Sequence, residues 1–416
     1  MIRWSKSLSV LSFAVVFAIP VFSADQADYQ ERPLSINAAD VLPRNLLQGE
    51  NYKVEDKVSN DGLINTYRLS TDYGPLKAES TAELLMRIDE LSALVHMEEM
   101  DRKEVFGDAL VGGVKGTVKG AAELVKSPIE GTENLVKGTG QFISNLGASI
   151  FSDDPDQDNV LKTALGYDVA KRKFAFEFGI DPYTDYDPVA DRLGQIARAA
   201  VAGGIAPKAA MAAIDSKVVL AMRISGTAYG MMQLVRDNPP EKLKEINREK
   251  LQKMGVDEQL IDAFLNNYRY NPQEETILVG ELETMKGVKG MDAFIGHAAP
   301  ATEESVALLH RVRAQMMAGY HAHISPAATI ANIDGVLCLQ LKNGGLVLLA
   351  PADYVFWTKT LADKLKSFES KIAGMKVIKE KQIWVSGKFD PKARAGFEAA
   401  GWQVKDGANT ILLKNN

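Results

Sequence analysis

Residues 326–350, PAATIANIDGVLCLQLKNGGLVLLA, decide the fold class, because here the chain leaves a long run of helical signals and changes texture. Thr329–Ile333, Val336–Leu341 and Leu346–Leu349 are short apolar runs of strand length. Asp334-Gly335 and Asn343-Gly344 separate them, and both dipeptides supply the backbone freedom of tight hairpin turns. The stretch predicts a three-stranded meander. Beyond it, a helix is expected from about Ala352 to Phe368 and a buried strand at Ile383–Val385. Asp390-Pro391 reads as a cap followed by a first-turn proline, and Gly401 as the stop of that helix. Trp402–Val404 resumes as a strand, so residues 326–416 read as a small α/β domain.

Working back from Pro326, residues 153–325 are helical by pattern. Stops fall at Gly179, in the DPYTDYDP loop (181–188), at Asn238-Pro239-Pro240 and near Gly287–Gly290. Residues 79–152 combine a long helix with a glycine-rich segment. Ser80 and Glu83 have capping-box spacing, and Leu84, Ile88, Leu91 and Val95 mark one face. In residues 24–78, Tyr52, Val54 and Val58 alternate on one arm, and Leu63, Asn65, Tyr67 and Leu69 on the other. Asn60-Asp61-Gly62 between them predicts a β-hairpin, while residues 24–48 are polar, mixed and expected to be loosely held. The class is therefore α+β: a mainly helical central domain, an N-terminal β-hairpin and a small C-terminal α/β domain.

Residues 1–23 read as a secretory signal peptide. Arg3 and Lys6 form a basic start, Leu8–Phe22 an apolar run, and Val21 and Ser23 the small-residue positions before a cut at Ala24. A spanning helix needs about 20 apolar residues, more than this run holds. Removing Arg3 and Lys6 takes the net charge from −6 to −8, a balance with no overall pull toward nucleic acid. Cys338 is the sole cysteine, so an intrachain disulfide is impossible. Its apolar neighbours make it a small buried hydrophobe.

Three segments, NYKVEDKVSNDGLINTYRLSTDYG, FGIDPYTDYDP and VSGKFDPKARAGFEAAGW, resemble in that order a family of secreted bacterial hypothetical proteins. The resemblance spans most of the mature chain. It implies a bacterial origin and this architecture, and it carries no established activity and no catalytic residue.

Residues 109–152 repeat every 11 residues as ALVGGVKGTVK, GAAELVKSPIE, GTENLVKGTGQ and FISNLGASIFS. Eleven residues make three helical turns, so equivalent positions fall on one line of a helix. Val118, Leu124, Val125, Leu135 and Val136 share an apolar arc, with Lys115, Lys126 and Lys137 toward its polar side. This is the pattern of a helix lying on a lipid surface, and equally of one packed inside the protein. The glycines and Pro128 weaken such a helix when it stands alone.

His297, His310, His321 and His323 lie within 27 residues. With Glu303 or Glu304 they have the ligand chemistry of a zinc or copper site, although no established spacing such as HExxH is present. His310, His321 and His323 converge only if the chain reverses between Arg311 and Tyr320; on a continuous helix His310 and His321 stand about 16 Å apart. Asp154, Asp156 and Asp158 open like a calcium loop, but Asn159 and Leu165 break the pattern. Asp181, Asp185, Asp187 and Asp191 read as turn and capping acids. Phe174, Phe176 and Phe178 beside Lys171 and Lys173 read as a helix face with a solvated edge. Nucleophile-elbow and phosphate-loop motifs are absent from the sequence.

The expected function is a non-enzymatic binding or scaffolding module of the bacterial cell envelope, periplasmic or outer-membrane-associated, with no cofactor. Its expected partner is a membrane surface or envelope protein. A metal-dependent periplasmic enzyme using the histidines and a soluble partner-binding protein are the alternatives.

Overall fold

The computed structural model describes residues 29–102, 158–203, 225–375 and 378–413. The N-terminal unit is larger than one hairpin. Strands β1 (Leu34–Asn37), β2 (Tyr52–Val54), β3 (Lys57–Asn60), β4 (Asn65–Thr71) and β5 (Gly74–Ala78) form a five-stranded sheet. β3 and β4 are joined by the anticipated turn, where the Asp61 carboxylate accepts from the amides of Leu63 and Ile64 at 2.8 Å each. The first arm breaks after Val54, so β2 and β3 pair with successive parts of β4, and β5 covers its other edge.

Of the segment 24–48 expected to be loosely held, residues 34–46 are instead packed into a core, while 24–28 lie outside the described residues. Leu34, Ala38 of the short helix α1 (Ala38–Val41), Leu42 and Leu46 are buried in a core with Val58, Tyr67 and Leu69. Their apolar side chains, spaced by four residues, outweigh the polar residues around them.

The capping box forms in half at the start of α2 (Thr81–Arg102), because the glutamate reaches the amide one residue before the cap and not that of Ser80. Ser80 Oγ accepts from the Glu83 amide at 3.0 Å, and Glu83 Oε2 accepts from the Glu79 amide at 2.7 Å. Helices α3 (Asp158–Phe178) and α4 (Asp187–Gly203) complete a three-helix layer. Its core is Leu91, Leu94, Met97 and Met100 against Phe174, Phe178, Leu193 and Ile196. Gly179 ends α3 with a positive φ of 67°, a conformation that costs glycine little.

Six helices follow: α5 (Gly226–Asp237), α6 (Pro240–Lys253), α7 (Glu258–Leu265), α8 (Pro272–Thr284), α9 (Met291–Ala298) and α10 (Glu304–His323). α8 is central, with every residue from Gln273 to Leu282 buried. Asn271 caps it, its side chain accepting from the amides of Gln273 and Glu274 at 3.0 and 2.9 Å.

The predicted meander is β6 (Ala327–Ile333), β7 (Val336–Leu341) and β8 (Gly345–Ala350). β10 (Glu380–Val385) and β12 (Gln403–Lys405) extend it in parallel, giving the order β12-β10-β8-β7-β6. Both faces of the sheet are covered. Leu337, Leu339, Leu341, Val347, Leu349 and Trp384 join the core of α7–α10. Cys338, Leu346, Leu348, Ile383 and Val385 pack on α11 (Lys359–Ile372) and α12 (Pro391–Ala399). One hydrophobic core thus runs through the expected boundary at 325/326, and the C-terminal segment is continuous with the helices before it.

Helix α11 begins seven residues later than the sequence suggests, because residues 353–356 are used elsewhere. β9 (Tyr354–Val355) pairs with β11 (Lys388–Phe389), and the amides of Asp353 and Tyr354 donate to Leu63 O. A Cβ at Gly387 would lie 1.8 Å from Asp353 O, so only glycine allows the two backbones to approach this closely. The last helix, α13 (Ala408–Leu412), rests on α10, where a Cβ at Gly319 would meet Leu412 O at 2.2 Å.

Candidate functional site

The residues of the expected lipid-surface element, Lys115, Val118, Leu124, Val125, Lys126, Leu135, Val136 and Lys137, lie outside the described residues, as do residues 1–23, the expected signal peptide. Their roots are defined. Asp185 at the start of α4 meets Arg87 near the start of α2 at 2.6 Å, and Glu98 lies beside Arg192 further along, so these two helices run in the same direction. α3 runs against α4: Gly166 faces Val201, and Gly194 faces Tyr167. The chain therefore leaves at Arg102, re-enters at Asp158 and leaves again at Gly203 from one end of the three-helix layer. Among the described residues no helix is long and apolar enough to cross a membrane.

The histidines do not assemble as a ligand set. α10 is continuous from Glu304 to His323, so the reversal that would bring His310, His321 and His323 together does not occur. His310 is buried, with Nδ1 2.7 Å from Tyr270 Oη. His321 Nδ1 accepts from the Ala327 amide at 3.1 Å, and His323 is exposed in the last turn of the helix. Among the described residues no group of three or more His, Cys, Asp or Glu side chains is placed to hold a metal ion. Cys338 is fully buried, and burial pushes its thiol up to about 12, away from nucleophilic use at neutral pH.

A seam of buried charge was not legible in the sequence. Arg87 donates to Glu90 at 2.8 Å and to Asp185 at 2.6 Å, and the Thr184 hydroxyl donates to the other oxygen of Glu90. Asp181 accepts from the Tyr183 amide at 2.8 Å and from Asn271 Nδ2 at 2.9 Å. Burial, then the nearby Glu274, pushes its carboxyl up to about 7. Glu274 pairs with Arg311 at 2.5 Å, and Asn247 Nδ2 donates to Glu275 at 2.9 Å. Burial pushes Glu275 up to about 7 as well. The DPYTDYDP acids are thus turn and pairing groups: Asp181 faces inward, and Asp185 neutralises an arginine.

Asp353 ties the N-terminal sheet to the C-terminal one. Its Oδ2 accepts from the amides of Asn65 and Thr81 at 3.0 Å each, the second at the start of α2, where the helix dipole favours a negative group. Beside this junction opens a groove of about 670 Å³ lined by Ser35, Ile36, Asn37, Tyr354, Phe356 and Phe389. β1 is an edge strand of its sheet. The Ala38 amide donates to Asp56 O, which by the two-residue alternation of an antiparallel ladder turns Leu34 and Ile36 toward β3. The backbone groups of Ser35 and Asn37 consequently face the groove. The charges at its rim balance: Asp40 and Asp56 against Lys57 and Lys388.

No family model, curated protein or solved structure matches the chain.

Proposed function

We propose that this chain is a non-enzymatic module of the bacterial cell envelope, exported through its leader, that holds an amphipathic element of residues 109–152 against a lipid surface. It would then belong with the secreted bacterial family that its three segments resemble. One observation carries the reading: Arg102, Asp158 and Gly203 lie at one end of a three-helix layer, so the repeats are tethered at both ends to one pole of the body. Lysines beside an apolar arc suit an anionic membrane, each contributing about 1 kcal/mol near the surface and less as salt rises.

Sedimentation with vesicles containing anionic phospholipid tests it. Wild-type protein should co-sediment at low salt and be released at high salt. Replacing Lys115, Lys126 and Lys137 together by glutamate should abolish association without changing the far-UV circular dichroism. Wild-type protein that stays in the supernatant overturns the reading.

The groove beside β1 favours a second reading, a soluble periplasmic partner-binding protein. Its free backbone groups and aromatic wall suit an extended segment of another protein added as a sixth strand.

A further inference from the structure

Three basic side chains meet where α9, α10 and β8 come together. Arg313 donates from Nη1 to His297 Nε2 at 3.2 Å and from Nε to Leu349 O at 3.3 Å. The His297 and His310 rings meet edge-on with centroids 5.3 Å apart. His310 and Arg313 are three residues apart on α10 and so share a face of the helix. The Tyr270 hydroxyl donates to Ala298 O at 2.8 Å, which commits its only proton. His310 Nδ1 therefore donates to Tyr270, which leaves Nε2 of the neutral ring as a lone-pair acceptor with no protein partner among the described residues.

A guanidinium has five N–H donors in a planar fork. Arg313 uses two of them within the described structure, and no carboxylate among the described residues pairs with it. Arg311, two residues earlier, pairs with Glu274 at 2.5 Å. A cation withdrawn from water without a counter-charge is costly. Burial pulls Arg313 down to about 10, and burial, then Arg313 and His297, pull His310 down to about 3. Arg313 and His297 nevertheless remain partly exposed, so the cluster can be reached from solvent.

We propose that Arg313, flanked by His297 and His310, binds a small oxyanion of phosphate type. The unused donors lie on both terminal nitrogens of the fork, which pairs with phosphate and carboxylate alike. His310 Nε2 accepts from an oxyanion that still carries an O–H, as hydrogen phosphate does and acetate does not. The inference stands apart from the lipid reading, since it uses residues far along the chain from the repeats. Free phosphate and a phospholipid headgroup share this chemistry.

The test titrates the full mature chain with inorganic phosphate against sodium chloride at constant ionic strength. Unfolding temperature and the imidazole NMR resonances are followed. Phosphate should raise the unfolding temperature saturably and move the resonances of His297 and His310, leaving those of His96, His321 and His323 in place. Arg313→Gln should abolish both effects, and Arg313→Lys should retain a weakened one. Should Arg313→Gln fail to fold, His297→Gln should weaken binding in its place. A parallel titration with anionic phospholipid vesicles distinguishes the sources: saturation by inorganic phosphate assigns a free ion, and a response to vesicles alone assigns a headgroup. A response that chloride reproduces, one equalled by acetate, or one that survives in Arg313→Gln overturns the proposal.

Discussion

The charged seam around α2, α8 and α10 and the two-faced sheet of β6–β8 and β10 both bury their side chains, by opposite means. The sheet does so with aliphatic residues that alternate between two cores, Leu339 and Leu349 on one side, Cys338 and Leu348 on the other. The seam buries Arg87, Glu90, Asp181, Glu274 and Glu275, and each is held by a partner far away in the sequence or by a turn amide. Packing in the sheet tolerates substitution in proportion to the volume lost, whereas the seam depends on its opposite charges staying together.

Removing one partner from the seam should have the largest effect. Arg87→Met leaves Glu90, 1% exposed, without its counter-ion and should cost about 3–5 kcal/mol in urea denaturation. The double variant Arg87→Met, Glu90→Met should recover most of that loss, because an apolar pair replaces a charged one. A double variant as unstable as the single would erase the contrast between the regions. In the sheet, Leu339→Ala should cost roughly 3 kcal/mol through lost burial and a residual cavity, and no second substitution of a charged residue should rescue it.

The smallest effect sharpens the comparison through pH. Asp181 titrates near 7 in the folded protein and near 3.9 when unfolded. Between those values the native state binds more protons, so this group's contribution to stability falls as pH rises from about 4 to about 7. Asp181→Asn removes that slope, which is at most about 1.4 kcal/mol per pH unit. Wild type should therefore lose stability relative to the variant between pH 5 and pH 8. A difference that stays constant with pH would mean that Asp181 is ionised throughout.

Much of the sheet region was legible because its information is local. Asp334-Gly335 and Asn343-Gly344 placed the turns, Asp390-Pro391 and Gly401 bounded α12, and the helix breaks at Gly179 and Asn238-Pro239 fell where expected. The seam was not legible, because Arg87 and Asp185 are separated by 98 positions and nothing in either neighbourhood announces the other. α8 was hidden similarly: the acids of QEETILVGELE give no sign of burial until Asn247, Arg311 and Ser225 are brought to them. β1 carried a weak signal, the alternation of Leu34 and Ile36, that the polar residues around it obscured. The late start of α11 follows from Gly62 and Leu63, almost 300 positions upstream, which accept hydrogen bonds from residues 353–356. Arg313 and the two histidines gave no sign either, since the sequence suggests metal ligation while the fold places a guanidinium among the imidazoles.

The seating of α13 on α10 bears on how the chain is made. Ala408 and Leu412 belong to the same core as Leu251, Phe264 and Phe294, and Gly319 lets their helix lie against α10. A ribosome delivers these groups 114 to 161 residues apart, and until the later ones emerge the earlier helices carry an uncovered apolar face. Such a face is a site of misassociation for a growing or translocating chain. Helices α7–α10 thus reach their final packing only once residues 408–412 have arrived.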